Sequence, residues 1–168
     1  CLIDMASSMP LVERLALIGC GLIGGSFALA LRQAGQVAEV VGYSTRASTR
    51  QKAMDMGVID VACDSVAQAV KGADVVLLAV PVSATEMSLR AMAPHLGELA
   101  LVMDVGSTKG DVVVAARTTL GLALPRFVPA HPIAGKEVAG VEFADADLYR
   151  QRLTILTPTQ DTDPRFLA

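Results

Sequence analysis

Short apolar runs alternate with mixed polar and apolar segments along this chain, and that alternation is the first clue to its fold. Seven runs have the length and content of strands: Leu15–Gly19, Glu39–Tyr43, a short piece at Val61–Cys63, Asp74–Val80, Ala100–Asp104, Phe127–Ala130 and Leu153–Thr157. Between them lie helix candidates at Leu22–Ala34, Ser48–Met56, Ser65–Val70, Val82–Ala93 and Lys109–Leu120, with a shorter one near Gly140–Ala146. Gly35, Gly57, Gly72, Gly97 and Gly121 each follow a helical run, where a C-terminal cap belongs. Strands that alternate with helices imply right-handed crossovers and a doubly wound, mostly parallel α/β sheet. In such sheets ligands bind beyond the carboxyl ends of the strands. The residues just after each strand therefore carry the candidate chemistry.

Composition narrows the picture without changing it. A length of 168 residues fits one domain of ordinary size. The chain is 52% hydrophobic and 18% charged, which suits a parallel sheet covered on both faces. Its apolar runs are short and interrupted, as at Ala73–Val82, which contains Asp74 and Pro81. None reaches the roughly 18 residues that cross a bilayer, so no membrane partner is expected. A net charge of −3 without a basic stripe gives no sign of nucleic-acid binding. No basic segment followed by an apolar one opens the chain, and a cytoplasmic location is the expectation. Cys1, Cys20 and Cys63 are odd in number and widely spaced, which argues against a disulfide framework and against a zinc site. No metal site is expected. Residues 1–12 are expected to form a disordered leader, with the folded domain over 13–158.

The most informative segment is Leu15-Ala-Leu-Ile-Gly-Cys-Gly-Leu-Ile-Gly-Gly25, where Gly19, Gly21 and Gly24 match the dinucleotide-binding spacing G-x-G-x-x-G. The motif lies between a strand and a helix, which is the context it needs. Gly19 permits the tight turn, Gly21 lets the backbone approach a pyrophosphate, and Gly24 lets the helix pack closely on the strand. Leu22 and Ile23 open the helix, whose free N–H groups and dipole attract phosphates. Glycine-rich turns also serve purely structural ends, but this placement favours a nucleotide site.

The remaining strand ends add candidates. After the second strand, enzymes that prefer NAD usually carry Asp or Glu to bond the ribose 2′-hydroxyl. This chain carries Ser44, followed by Arg46, Ser48, Thr49 and Arg50. Hydroxyls and a guanidinium hold a 2′-phosphate that a carboxylate would repel, which favours NADP, with Ser44, Arg46 and Thr49 as contacts. The competing reading is that Ser48 or Thr49 caps the next helix and the arginines are solvated. Val80 and Pro81 end the fourth strand, either beside a nicotinamide ring or as a plain turn. After the fifth strand, in Asp104-Val-Gly-Ser-Thr-Lys109, Gly106 allows a sharp turn toward the cleft and is grouped with the cofactor contacts. Thr108 is read as a helix cap, whereas Ser107 fits a cap or a ligand contact equally. The chain has two histidines. His95 falls at a helix end and reads as surface. His131 stands at a strand's carboxyl end before Pro132, and is either structural or a proton acceptor for a substrate hydroxyl.

Three segments in order, Gly19-Cys-Gly-Leu-Ile-Gly-Gly-Ser26, Asp104-Val-Gly-Ser-Thr-Lys109 and His131-Pro-Ile-Ala-Gly135, resemble those of the prephenate and arogenate dehydrogenases of tyrosine biosynthesis. Gly140-Val-Glu-Phe-Ala-Asp-Ala-Asp-Leu-Tyr149 resembles the stretch that follows the histidine motif in that family. The similarity runs from Leu15 to Thr159. It implies a Rossmann-like domain and an oxidative decarboxylation: hydride passes from a cyclohexadiene ring carbon to NADP or NAD, and loss of carbon dioxide makes the ring aromatic. His131 and Ser107 would be the catalytic pair, with His131 accepting the hydroxyl proton and Ser107 orienting the reactants. His131 must be neutral for this, so activity is expected to fall on acidification. Ser107, His131, Gly135 and Lys136 would meet the small-molecule substrate, prephenate or arogenate, and Lys109 could help attract its negative charge. Family members also carry a helical C-terminal domain that makes them homodimers. This chain is expected to lack that domain, residues 159–168 being the start of the connection to it, so that it binds cofactor better than it turns over substrate.

Two other readings fit the residues. One is another NADP-dependent reductase with the same N-terminal fold, such as a hydroxyacid dehydrogenase or an imine reductase. The other is a non-catalytic module that senses a dinucleotide.

Overall fold

The computed structural model describes residues 9–167. Six strands, β1 (Val12–Ile18), β2 (Val37–Tyr43), β3 (Val61–Ala62), β4 (Val75–Leu78), β5 (Leu101–Asp104) and β6 (Phe127–Val128), form one sheet in the order β3-β2-β1-β4-β5-β6. Every pairing in it is parallel. The connections carry α1 (Leu22–Gln33), α2 (Ala47–Asp55), α3 (Val66–Val70), α4 (Val82–Met92) and α5 (Gly110–Thr119). The chain leaves β1 toward β2 on one side and returns to β4 on the other, so the sheet splits its connections between β1 and β4. A crevice opens at that switch point, where doubly wound sheets bind ligands.

Side chains that alternate along each strand bury the sheet on both faces. Leu15 and Leu17 of β1 join Val40, Leu77 and Ala28 on one face. Ala16 and Ile18 join Val41, Val76, Leu89 and Val102 on the other. Leu15 to Ile18 are completely buried, which explains why this second half of β1 is an unbroken apolar run rather than an alternating one.

The sequence expectations hold for the alternating part of the chain and fail where neighbours distant in sequence decide the outcome. The leader expected over 1–12 falls mostly on residues 1–8, outside the described residues. Val12 belongs to β1, because it pairs with Val37 and its N–H donates to the Gln36 carbonyl at 3.1 Å. Gly35, Gly57, Gly72 and Gly121 take the left-handed conformation expected after a helix, and Gly97 does not. The strand expected at Phe127–Ala130 is cut by Pro129, which has no N–H to give to a ladder. Beyond it, β7 (Ala130–Pro132) turns out of the parallel sheet and pairs antiparallel with β8 (Thr154–Leu156). Instead of the short helix expected near Gly140–Ala146 there is one 3-10 turn, Val141–Phe143, preceded by Gly140 at φ +117°.

The turn from β1 into α1 leaves no room to spare. A Cβ on Gly24 would lie 2.5 Å from the Gly19 carbonyl oxygen, 2.7 Å from Leu17 Cδ1 and 2.9 Å from Ala79 Cβ. Gly24→Ala must therefore push α1 off the sheet, and overpacking of this kind costs about 1–3 kcal/mol. Urea unfolding of the variant checks this, and an unchanged midpoint would show that the approach is not needed for stability.

Candidate functional site

The crevice is a cleft of about 880 Å³, and it gathers residues from β2, α2, α3, α4, the 3-10 turn Val141–Phe143 and the loops after β1 and β4. Its floor is the glycine loop. Gly19, at φ +102°, lies so close to β4 that a Cβ there would sit 2.3 Å from the Ala79 carbonyl oxygen. Gly21 differs: among the described residues nothing lies within 4 Å of where its Cβ would be. It is the N-cap of α1, and a side chain there would project into open space that a ligand could fill. The first bond of the helix runs from the Gly25 N–H to the Gly21 carbonyl at 2.8 Å. The N–H groups of Leu22, Ile23 and Gly24 therefore have no acceptor within the helix. No carboxylate stands in this first turn to compete for an anion. Leu22 and Gly24 are buried, so they meet a ligand through their backbone alone. The residues present thus fit a phosphate-bearing nucleotide.

One wall comes from β2 and α2. Ser44, Thr45, Ser48, Thr49 and Lys52 line it. The N-cap of α2 is Arg46, with no side-chain cap bond, so Ser48 and Thr49 do not cap the helix and their hydroxyls stay available. Arg46 is exposed and lies off the cleft lining. Arg50 is committed elsewhere: it donates to the Ser44 carbonyl at 2.6 Å and pairs with Asp64 at 2.9 Å, which fixes the loop after β2. Val80 and Pro81 line the opposite wall with Ala84 and Met87 of α4. Cys20 also borders the cleft, but burial pushes its thiol up to about 12. It stays protonated, held 3.5 Å from the Tyr43 carbonyl, and is not a nucleophile.

The second part of the site lies past β5 and β7. His131 is half-buried on β7, opposite Ile155 of β8. It shares a smaller hollow of about 350 Å³ with Pro132, Ile133, Ala134, Gly135 and Arg152. Ser107 and Thr108 are exposed in the loop after β5. The N-cap of α5 is Lys109, again without a side-chain cap bond, so the capping role expected of Thr108 is not found. The loop is shaped instead by Asp104, which is 2% exposed and accepts from the Gly106 N–H at 2.9 Å, the Lys109 ammonium and the Ala130 N–H at 3.2 Å. Lys109 also donates to the Ala130 carbonyl at 2.6 Å. A buried ion pair thus ties the Ser107 loop to the strand that carries His131. It also means that Lys109 spends its charge internally rather than on a substrate, and that the Gly106 N–H is turned away from the cleft. Lys136 pairs with Asp145 at 2.8 Å. Arg152 has no motif around it to mark it in the sequence. It enters the His131 hollow because Gln151, at φ +56°, turns the chain just before it.

Removing the ammonium from this pair strands a buried carboxylate, which costs about 3 kcal/mol or more. Lys109→Met is expected to lose that stability in urea unfolding. Asp104→Asn combined with Lys109→Met is expected to regain most of it. A single variant as stable as the parent would contradict the assigned role.

Comparisons with known proteins agree with this geometry. The family model described as prephenate dehydrogenase, nucleotide-binding domain, matches residues 27–168. Prephenate dehydrogenase of Bacillus subtilis (strain 168) is 40% identical over 154 residues, covering 90% of this chain and 41% of that protein. Among solved structures, prephenate dehydrogenase from A. aeolicus in complex with hydroxyphenyl propionate and NAD+ is similar with a TM-score of 0.84 and 37% identity. That match covers 92% of this chain and 54% of the other. Synechocystis arogenate dehydrogenase gives 0.83 and 32%, with 92% and 53% covered. The chain therefore spans about half the length of these relatives or less. Matched over most of its length, and folded as these relatives fold, the chain belongs to the prephenate dehydrogenase family as its nucleotide-binding domain.

Proposed function

We propose that the cleft binds a nicotinamide dinucleotide, NADP in preference to NAD, and that the domain serves the oxidative decarboxylation of prephenate or arogenate in tyrosine biosynthesis. The observation that carries this reading is the open space above Gly21, at the uncompensated N-terminus of α1 and on the floor of the cleft. The solved A. aeolicus relative was found with NAD+ and hydroxyphenyl propionate, a ring compound with an acidic side chain. When bound, the nicotinamide supplies hydride acceptance. The chain's own residues do the rest. The N–H groups of Leu22, Ile23 and Gly24 hold the pyrophosphate, and Val80 and Pro81 bound the dinucleotide on the β4 side.

His131 accepts the proton of the substrate hydroxyl, and Ser107 orients that hydroxyl. The Asp104–Lys109 pair holds the two in register. Arg152, rather than Lys109 or Lys136, is the cation placed to meet a substrate carboxylate, because the other two are already paired. Support for NADP comes from the wall after β2, where Ser44, Thr45, Ser48 and Thr49 present hydroxyls and no carboxylate follows the strand directly. Residues 13–158, together with Val12 at the start of β1, make up this functional unit, and a homodimer is the assembly we propose for the complete enzyme.

Calorimetric titration with each dinucleotide, followed by addition of prephenate or arogenate and absorbance at the nicotinamide band, tests the proposal. NADP is expected to bind more tightly than NAD. His131→Ala is expected to bind cofactor as the parent does and to lose substrate-dependent reduction. Failure to bind either dinucleotide, or reduction that survives His131→Ala, would contradict the reading.

A further inference from the structure

Residues 140–149 lie across α1 and α2 and bring a carboxylate to the cleft that local sequence does not place there. Val141 is buried in the core shared by α1 and β2, and Ala144 packs 3.0 Å from where a Cβ on Gly25 would stand. The Asp145 N–H donates to Ser26 Oγ at 2.9 Å, and the Tyr149 hydroxyl donates to the Ile23 carbonyl at 2.9 Å. Phe27 and Tyr149 meet edge to face at 5.9 Å. The strap is thus fixed to the same helix that forms the floor of the cleft. Its Gly140, Val141 and Glu142 complete the cleft lining on that side.

Glu142 folds back over Gly140. Its carboxylate occupies the space where a Gly140 Cβ would be, with Oε2 only 2.3 Å from that position. From there Glu142 Oε1 lies 3.4 Å from the Lys52 ammonium. Lys52 is on α2 one turn past Ser48 and Thr49, so the three share the face that lines the cleft. It is the one basic residue among the described residues of that lining, and the lining's two carboxylates are Glu142 and Asp64. Asp64 is occupied by Arg50. Glu142 and Lys52 are each about half exposed. A pair so open to water adds little to folding, and a competing anion separates it readily.

We infer that Glu142 and Lys52 together set the cofactor preference: Lys52 is a phosphate-reading cation, and Glu142 is a built-in competitor that discriminates against a 2′-phosphate. This rests on the proposal that the cleft binds a nicotinamide dinucleotide. A 2′-phosphate must draw Lys52 away from Glu142 and bear the repulsion of that carboxylate, whereas a 2′-hydroxyl does neither. The NADP preference of the wild-type chain is therefore smaller than the hydroxyl-rich wall alone would produce.

Calorimetric titration of the full 168-residue chain with NADP+ and with NAD+, at low salt, tests the inference. Glu142→Gln is expected to tighten NADP+ binding by about threefold to fivefold and to leave NAD+ binding unchanged. Lys52→Met is expected to weaken NADP+ selectively. In the double variant, Glu142→Gln is expected to lose much of its effect, because the cation it released is gone. Both substitutions are on exposed side chains, and an unaltered unfolding midpoint confirms that the fold is kept. Equal changes in NADP+ and NAD+ affinity, or no change in either, would overturn the inference while leaving dinucleotide binding intact. Loss of both ligands by the parent chain would instead overturn the reading on which it rests.

Discussion

The close approach of α1 to the sheet is the constraint on which the site depends. Gly19 and Gly24 stand where a single added carbon would collide with the backbone of the loop after β4 or with the turn itself. That contact places the N-terminus of α1 directly at the switch point of the sheet. There the unpaired N–H groups of the first turn face the cleft rather than a neighbouring strand. Gly21 supplies the complementary condition, since it is open where the other two are crowded. Two glycines bring the backbone in, and the third keeps the space above it free.

Around that fixed point the molecule is joined by contacts that are distant in sequence. The Asp104–Lys109 pair reaches the backbone of Ala130 and couples the end of β5 to β7. The strap over residues 140–149 is bonded to Ser26 and Ile23 of α1. The chain that leaves the parallel sheet after Pro129 carries His131 on β7 to the smaller hollow, and the strap then returns it to the cleft with Glu142.

What the sequence made legible follows from the range of the interactions involved. The strands and helices from β1 to α5 were readable because apolar runs, glycine stops and the G-x-G-x-x-G spacing are local signals. The N-terminal reach of β1 was not, because Val12 becomes a strand residue only by pairing with Val37. Ser107, Thr108, Ser48 and Thr49 all precede or open helices, and local rules offered them as caps. In the fold the caps of α2 and α5 fall on Arg46 and Lys109, which leaves those hydroxyls free. Lys109 and Lys136 looked like cations for a substrate because their partners, Asp104 and Asp145, are identified only by the folded geometry. Arg152 and Glu142 gave no local signal at all. They reach their hollows through left-handed backbone at Gln151 and Gly140.

The most direct test of the central claim uses Gly21. Its φ of −94° is open to any residue, and a side chain there meets no described atom, so Gly21→Val should fold as the parent does. The decisive measurement is dinucleotide affinity by calorimetry beside the unfolding midpoint of the same variant. The expected result is an unchanged midpoint with binding lost, because the valine fills the space above the helix N-terminus. Retained binding at an unchanged midpoint would contradict it, and would place the ligand away from the glycine loop.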